Sequence, residues 1–165
     1  MRSMPIREAA SKDATLLAQL ISDSFRDVAE KYFLTPENCP THPSNYTPVR
    51  VEADFVKGVR YFVLEDEGKV CGCVAMEVVG PEHCYLERLA VLPEYRRKGF
   101  GDTLVQCVVE QARALGLKRI EIAIIAQQTD LQRWYEARGF SVTGEKVFEH
   151  LPFKVKFMST ELSGG

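Results

Sequence analysis

Arg96-Arg97-Lys98-Gly99-Phe100-Gly101 places three cations and two glycines within six residues. That order suits the capture of a phosphorylated ligand. A pyrophosphate needs several N–H donors pointing inward, and glycine permits the tight turn and the close backbone approach. A helix that starts at such a turn adds its dipole and its unpaired amides. Two glycines alone are weak evidence, because many turns hold them. Here they stand between a strand-like segment ending in Leu89-Ala90-Val91 and a segment with helical apolar spacing, which is the context the chemistry requires. Upstream, His83, Tyr85 and Glu87 share one strand face by period-two spacing. The five cysteines are odd in number and show no CxxC spacing. Cys71 and Cys73 are expected to share a strand face, and all five read as buried, reduced thiols. His42, His83 and His150 form no HxH or HxxxH set, so no metal site is expected.

These residues need a scaffold, and its outline is readable. Ile6 to Ala9 alternates as a short strand. Ser11 or Asp13 can cap a helix with Leu16, Leu17, Leu20, Ile21, Phe25 and Val28 at helical spacing. Pro36, Pro40, Pro43 and Pro48 exclude a long helix between Thr35 and Pro48. That stretch is a connecting loop or a substrate-facing one. A short helix is expected from Val49 to Val56. Arg60 to Glu65 and Lys69 to Val79 read as strands joined by Asp66-Glu67-Gly68. Cys84 to Val91 is a third strand, ended by Pro93 and the basic run. The following helix turns Leu104, Val105, Val108, Val109, Ala112 and Leu115 inward and stops at Gly116. Lys118 to Ala126 is a buried strand. A helix from Asp130 to Arg138 has Thr129 as its cap and Gly139 as its end, and Phe140 to Glu145 and Phe153 to Met158 are the last strands. The order is an antiparallel hairpin series followed by two strand-helix crossovers.

Composition bounds the function. The 165 residues suit one domain, with 45% hydrophobic and 27% charged residues supporting a single core. A net charge of -2 does not favour a nucleic-acid partner. No run of about 20 apolar residues would cross a membrane. Met1-Arg2-Ser3-Met4-Pro5 leads into polar sequence without an apolar signal region, so a cytoplasmic location is expected. Leu162-Ser163-Gly164-Gly165 echoes a transporter ATPase signature, but without a Walker-type loop it reads as a frayed tail.

The run from Leu86 to Gly101, Leu-Glu-Arg-Leu-Ala-Val-Leu-Pro-Glu-Tyr-Arg-Arg-Lys-Gly-Phe-Gly, resembles the acetyl-CoA motif of the GNAT acetyltransferase superfamily. Further on, Trp134-Tyr135-Glu136-Ala137-Arg138-Gly139-Phe140 is similar to that family's second signature. The match in pattern runs from Ile6 to about Met158. It departs where Gln128 and Leu131 stand at positions often held by Asn and Ala, so Gln128 is the candidate for that Asn's cofactor contact.

The resemblance implies an α/β fold of the GNAT type: a mixed, twisted central sheet with helices on both faces. The strands near Val91 and Ile124 would splay to hold acyl-CoA. It implies one N-acetyltransferase domain over 1–165, with a core from about 5 to 160. The backbone of Leu89, Ala90 and Val91 would pair with pantetheine. Arg96, Arg97 and Lys98 would add positive charge, and the amides from Arg97 through Lys98, Gly99, Phe100 and Gly101 to Asp102 would hold the pyrophosphate. Tyr135 would be the general acid, or else a structural tyrosine. Glu87 would be the general base, or else a surface or ion-paired carboxylate held by Arg60 or Arg88. His83 is a second proton acceptor, and His150 is structural. Asp23, Glu30, Tyr32 and Phe33 would border the acceptor site. The implied reaction is direct attack of a primary amine on acetyl-CoA, with no metal. Cys84 is the cysteine nearest to a nucleophile's place, and no covalent route is expected. A small-molecule amine is the favoured acceptor. A protein N-terminus or lysine, or an acyl-CoA sensor without turnover, are the alternatives, and a homodimer is compatible with any of them.

Overall fold

A computed structural model describes residues 5–162 of the chain. The elements in chain order are β1 (Ile6–Glu8), α1 (Ala14–Ser24), α2 (Arg26–Lys31), α3 (Pro48–Lys57), β2 (Arg60–Asp66), β3 (Lys69–Val78), β4 (His83–Val91), α4 (Phe100–Ala114), β5 (Arg119–Ile125), α5 (Thr129–Glu136), β6 (Ser141–Val147) and β7 (Lys154–Glu161). The strands form one seven-stranded sheet in the order β1-β2-β3-β4-β5-β7-β6. The β4–β5 pair is parallel and every other neighbouring pair is antiparallel. Helix α4 supplies the crossover from β4 to β5. The second crossover, through α5, lands β6 one place beyond β5, because β7 enters between them.

Two cores lie on opposite faces of the sheet. One packs Phe100, Leu104, Val105 and Val108 of α4 against Val74, Met76, Leu86 and Ile120. The other packs Leu17 and Ile21 of α1 and Val51 of α3 against Tyr61, Val63 and Ala75. Burial of these apolar faces is what holds the helices to the sheet.

Several local expectations need correction. The first helix is two helices, interrupted at Phe25, whose ψ of 3° leaves the helical range. Leu16 and Leu115 are exposed rather than inward-facing, the latter because it lies past the last turn of α4. Asp13 holds the cap position of α1, as one of the two expected residues, but its side chain makes no capping bond. The Asp13 carboxylate instead accepts from Arg7 at 3.0 Å and from the Ala10 amide at 2.9 Å, tying β1 to the helix start. Thr129 is the first residue of α5, and Gln128 occupies the cap position. Cys71 and Cys73 sit in opposite cores, since Leu64 pairs with Gly72 but Glu65 with Val70, leaving Cys71 as a bulge residue. Leu162 is no frayed end: it is buried and its amide donates to the Lys118 carbonyl at 2.7 Å. Residues 163–165 and Met1 to Met4 lie outside the described residues.

Candidate active site

The parallel strands stay together for only three residues. His83, Cys84 and Tyr85 of β4 pair with Arg119, Ile120 and Glu121 of β5, and beyond them the strands part. Between them opens a cavity of about 650 Å³, lined by Leu86 to Leu89 on one side and Ile122 to Ile125 on the other. This is the splayed pair the sequence implied.

A bulge in β4 sorts the side chains around this gap. Ala75 pairs with Glu87 and Cys73 with Ala90, so Arg88 and Leu89 together oppose one residue of β3. Arg88 holds a left-handed φ of 49° to make the bulge. For a residue with a side chain that conformation costs about 1–2 kcal/mol. The bulge reverses the alternation: Leu86 faces the α4 core, and Ala90 faces the α1 core. Glu87 and Leu89, which strict alternation would keep together, therefore lie on opposite faces.

Backbone direction alternates as well. The Leu92 amide donates to Cys71 of β3, so the Ala90 amide points the same way and that of Val91 points into the gap. The Val91 carbonyl is already occupied, accepting from Arg96 Nε at 3.0 Å.

At the basic turn, Gly99 (φ 83°) and Arg97 (φ 64°) are both left-handed, which folds the chain back into α4. The first intrahelical acceptor serves Thr103, whose amide reaches the Gly99 carbonyl, so the amides ahead of it lie in the first turn without helical partners. Arg97 and Lys98 are exposed cations beside them. Arg96 is turned elsewhere: it donates to the Ser24 carbonyl at 2.6 Å and to Asp27 at 2.7 Å. Phe100 is core, and the Asp102 carboxylate is held by Arg138, which stacks on Trp134 at 3.6 Å. Gly101 is small for packing reasons, since an added Cβ would stand 3.0 Å from Trp134.

Tyr135 and Glu87 line the same cavity. Tyr135 is 5% exposed, packed edge-on against Trp134 and Phe140, and burial raises its phenol above the ordinary range. Among the described residues, no protein hydrogen bond engages its hydroxyl. Gln128 and Leu131 line the cavity next to it. Burial raises the Glu87 carboxyl above the usual carboxylate range, against the pull of Arg88, whose guanidinium lies 2.9 Å away. Arg60 pairs with Glu8 instead. Arg88 is anchored beneath by the Tyr61 hydroxyl, which accepts from Nε at 2.8 Å, and by Asp54. Tyr46 and Tyr61 both donate to that Asp54 carboxylate at 2.6 Å.

The residues expected to border the acceptor do not line this cavity. Asp23 pairs with Arg26, and Phe33 is fully outside. Phe25, Val28, His42 and Pro43 line the cavity in place of Asp23, Glu30, Tyr32 and Phe33, together with Phe153, just ahead of β7, and Val155 and Phe157 of β7. The proline-rich loop is therefore cavity-facing. His83 lies outside the cavity lining, 3.5 Å from Glu121. His150 is exposed against Phe148. Cys84 is fully buried and burial lifts its thiol to about 11, which leaves no thiolate for a nucleophile. Among the described residues, no cluster of three acidic, His or Cys side chains could hold a metal, and no helix is long and apolar enough to cross a membrane.

The sequence model of the acetyltransferase (GNAT) family matches residues 17–140. An amino-acid acetyltransferase of Pseudomonas paraeruginosa is 37% identical over 82 residues, covering 49% of this chain and 18% of that protein. The chain thus spans under a fifth of the length of such curated relatives. Among solved structures, the PaiA N-acetyltransferase of Thermoplasma acidophilum in complex with coenzyme A aligns with a TM-score of 0.76 at 16% identity, over 97% of this chain and 99% of that one. The ribosomal-protein-S18-alanine N-acetyltransferase of Escherichia coli aligns with a TM-score of 0.75 at 16% identity, over 98% and 95%. At that identity the likeness is one of fold.

Proposed function

Because this chain belongs to the acetyltransferase (GNAT) family, we propose that it is an acetyl-CoA-dependent N-acyltransferase whose acceptor is a small primary amine. One observation carries the reading: Tyr135 and Glu87 enter a single cavity at the place where β4 and β5 part. The residues fit the donor. The backbone of Leu89, Ala90 and Val91, with the Val91 amide turned to the gap, offers a strand edge to pantetheine. The left-handed turn at Arg97 and Gly99, with Lys98 beside it and the first-turn amides of α4 through Asp102, offers a cradle to a pyrophosphate. Bound there, acetyl-CoA supplies an activated acyl thioester.

Glu87 takes a proton from the acceptor ammonium, leaving the nitrogen lone pair free to form the new C–N bond. A gap-facing β4 amide stabilises the negative charge on the carbonyl oxygen. As the C–S bond breaks, Tyr135 gives its proton to the departing sulfur, and the second proton shed by the acylated nitrogen restores the Tyr135 phenol. A free thiol has a pKa near 8.5, so this help is useful rather than indispensable. Burial raises the Glu87 carboxyl from its usual range, the direction that strengthens a carboxylate as a base. The walls formed by α2, the loop at His42 and β7 favour a small acceptor over a protein segment, and relatives named amino-acid acetyltransferases accord with that. The test is thiol release from acetyl-CoA across a panel of amines and peptides. Release that depends on a small amine supports the reading, and no release with any amine overturns it.

A further inference from the structure

His42 belongs to no motif, yet the fold places it in the cavity wall. It is 6% exposed, and Phe25 meets its ring edge-on at 6.0 Å. Its Nδ1 is committed: the Ser44 amide donates to it at 3.2 Å, and the Ser44 hydroxyl lies 2.7 Å away. A backbone amide can only donate, so Nδ1 must be the unprotonated nitrogen and Nε2 must carry the hydrogen. Burial depresses the ring's pKa to about 4, so the imidazole is neutral at physiological pH. Among the described residues, Nε2–H has no protein partner. A neutral donor in a mostly apolar wall asks for an acceptor atom on the occupant.

The charge of the cavity narrows that occupant. Glu87 and Glu121 both line it, and the guanidiniums beside them are taken: Arg88 is shared between Glu87 and Asp54, and Arg119 pairs with Glu121 at 3.2 Å. A ligand carboxylate would add a third anion without a free cation, whereas an uncharged carbonyl oxygen would not. Phe25, Val28, Phe153 and Phe157 offer an apolar seat for the rest of the molecule. We propose that His42 is an acceptor-recognition residue whose Nε2–H binds an uncharged carbonyl oxygen, so that the preferred acceptor is an α-amino amide with an apolar side chain. The proposal rests on the N-acyltransferase reading above.

The experiment compares phenylalaninamide, phenethylamine, phenylalanine and a phenylalanyl-alanine amide, both as acceptors in thiol release and as ligands of the CoA-loaded enzyme by calorimetry. The wild type should favour phenylalaninamide over phenethylamine by about tenfold, the value of one neutral hydrogen bond. Phenylalanine should be the poorer of the two carbonyl-bearing monomers. His42→Phe keeps a ring against Phe25 but has no N–H, and should bring the tenfold ratio to about one. His42→Gln keeps an N–H and should restore part of it. Equal use of phenylalaninamide and phenethylamine by the wild type overturns the proposal, as does a ratio that survives His42→Phe. If no amine releases thiol, the N-acyltransferase reading falls, and the calorimetric ratio still decides the role of His42. Stronger use of the dipeptide amide than of phenylalaninamide would trace the carbonyl to a peptide N-terminus, and the reverse to a free small molecule. Either result upholds recognition by His42.

Discussion

Glu87 and Tyr135 face one cavity but answer to different physics. Glu87 is tuned by burial against the adjacent Arg88, so its carboxyl releases a proton above the usual carboxylate range. The base must be ionised to work, so wild-type activity should fall as pH drops through that raised value. Glu87→Gln should remove this limb, lower kcat/KM at neutral pH by about 100-fold, and make the rate climb with the free-amine fraction. An unchanged pH profile would move the base elsewhere. For Tyr135→Phe, kcat should fall by about 10- to 100-fold while acetyl-CoA binding stays constant. Equal turnover would remove the hydroxyl from the mechanism. Both residues were legible because each stands in a patterned segment, on a strand face or in a helix signature. His42 was not legible. Its reach into the cavity depends on an irregular loop built around prolines, where no period links sequence to direction.

At the level of elements, the basic turn divides its labour. The motif suggested three cations facing one anion, but Arg96 spends its guanidinium on the Val91 carbonyl, the end of α1 and Asp27 of α2. It joins the strand that should hold the donor to α1 and α2, beside Phe25 and Val28 of the cavity wall. Arg96→Ala should therefore raise KM for both substrates, and Asp27→Asn should raise that for the acceptor. An acceptor KM untouched in both variants would confine Arg96 to the donor side. Gly101 makes a complementary point. Its smallness serves Trp134, which is fixed from the other face by Arg138. Gly101→Ala should cost about 1–3 kcal/mol by overpacking. The check is a lower Tm together with a shifted emission from this single tryptophan. The locations of strands and helices were largely readable from period and turn residues. The bulges at Cys71 and Arg88 were not, because an extra residue changes the facing of a strand without changing its composition.

For the whole molecule, the gap between β4 and β5 should make stability depend on the donor. A ligand that binds the folded state alone contributes about 2.7 kcal/mol at one hundred times its dissociation constant. Acetyl-CoA should thus raise Tm with concentration, and the absence of any shift at millimolar ligand would remove the proposed donor site. The order of periodic segments made the hairpin series and the two crossovers legible, and the resemblance supplied the helices on both faces. The insertion of β7 was not, since pairing between distant strands leaves no local mark.

That insertion has a consequence for synthesis on the ribosome. β5 and β6 are joined in the sheet only through β7, which follows both of them in the chain. A nascent chain that has emerged through β6 has the helices, the basic turn and Tyr135, yet β5 still presents a bare edge and one wall of the cavity is missing. Bare edges invite pairing with other chains. The interval before β7 emerges is therefore when this protein most needs a chaperone, and translation arrest there should yield aggregation rather than a smaller working enzyme.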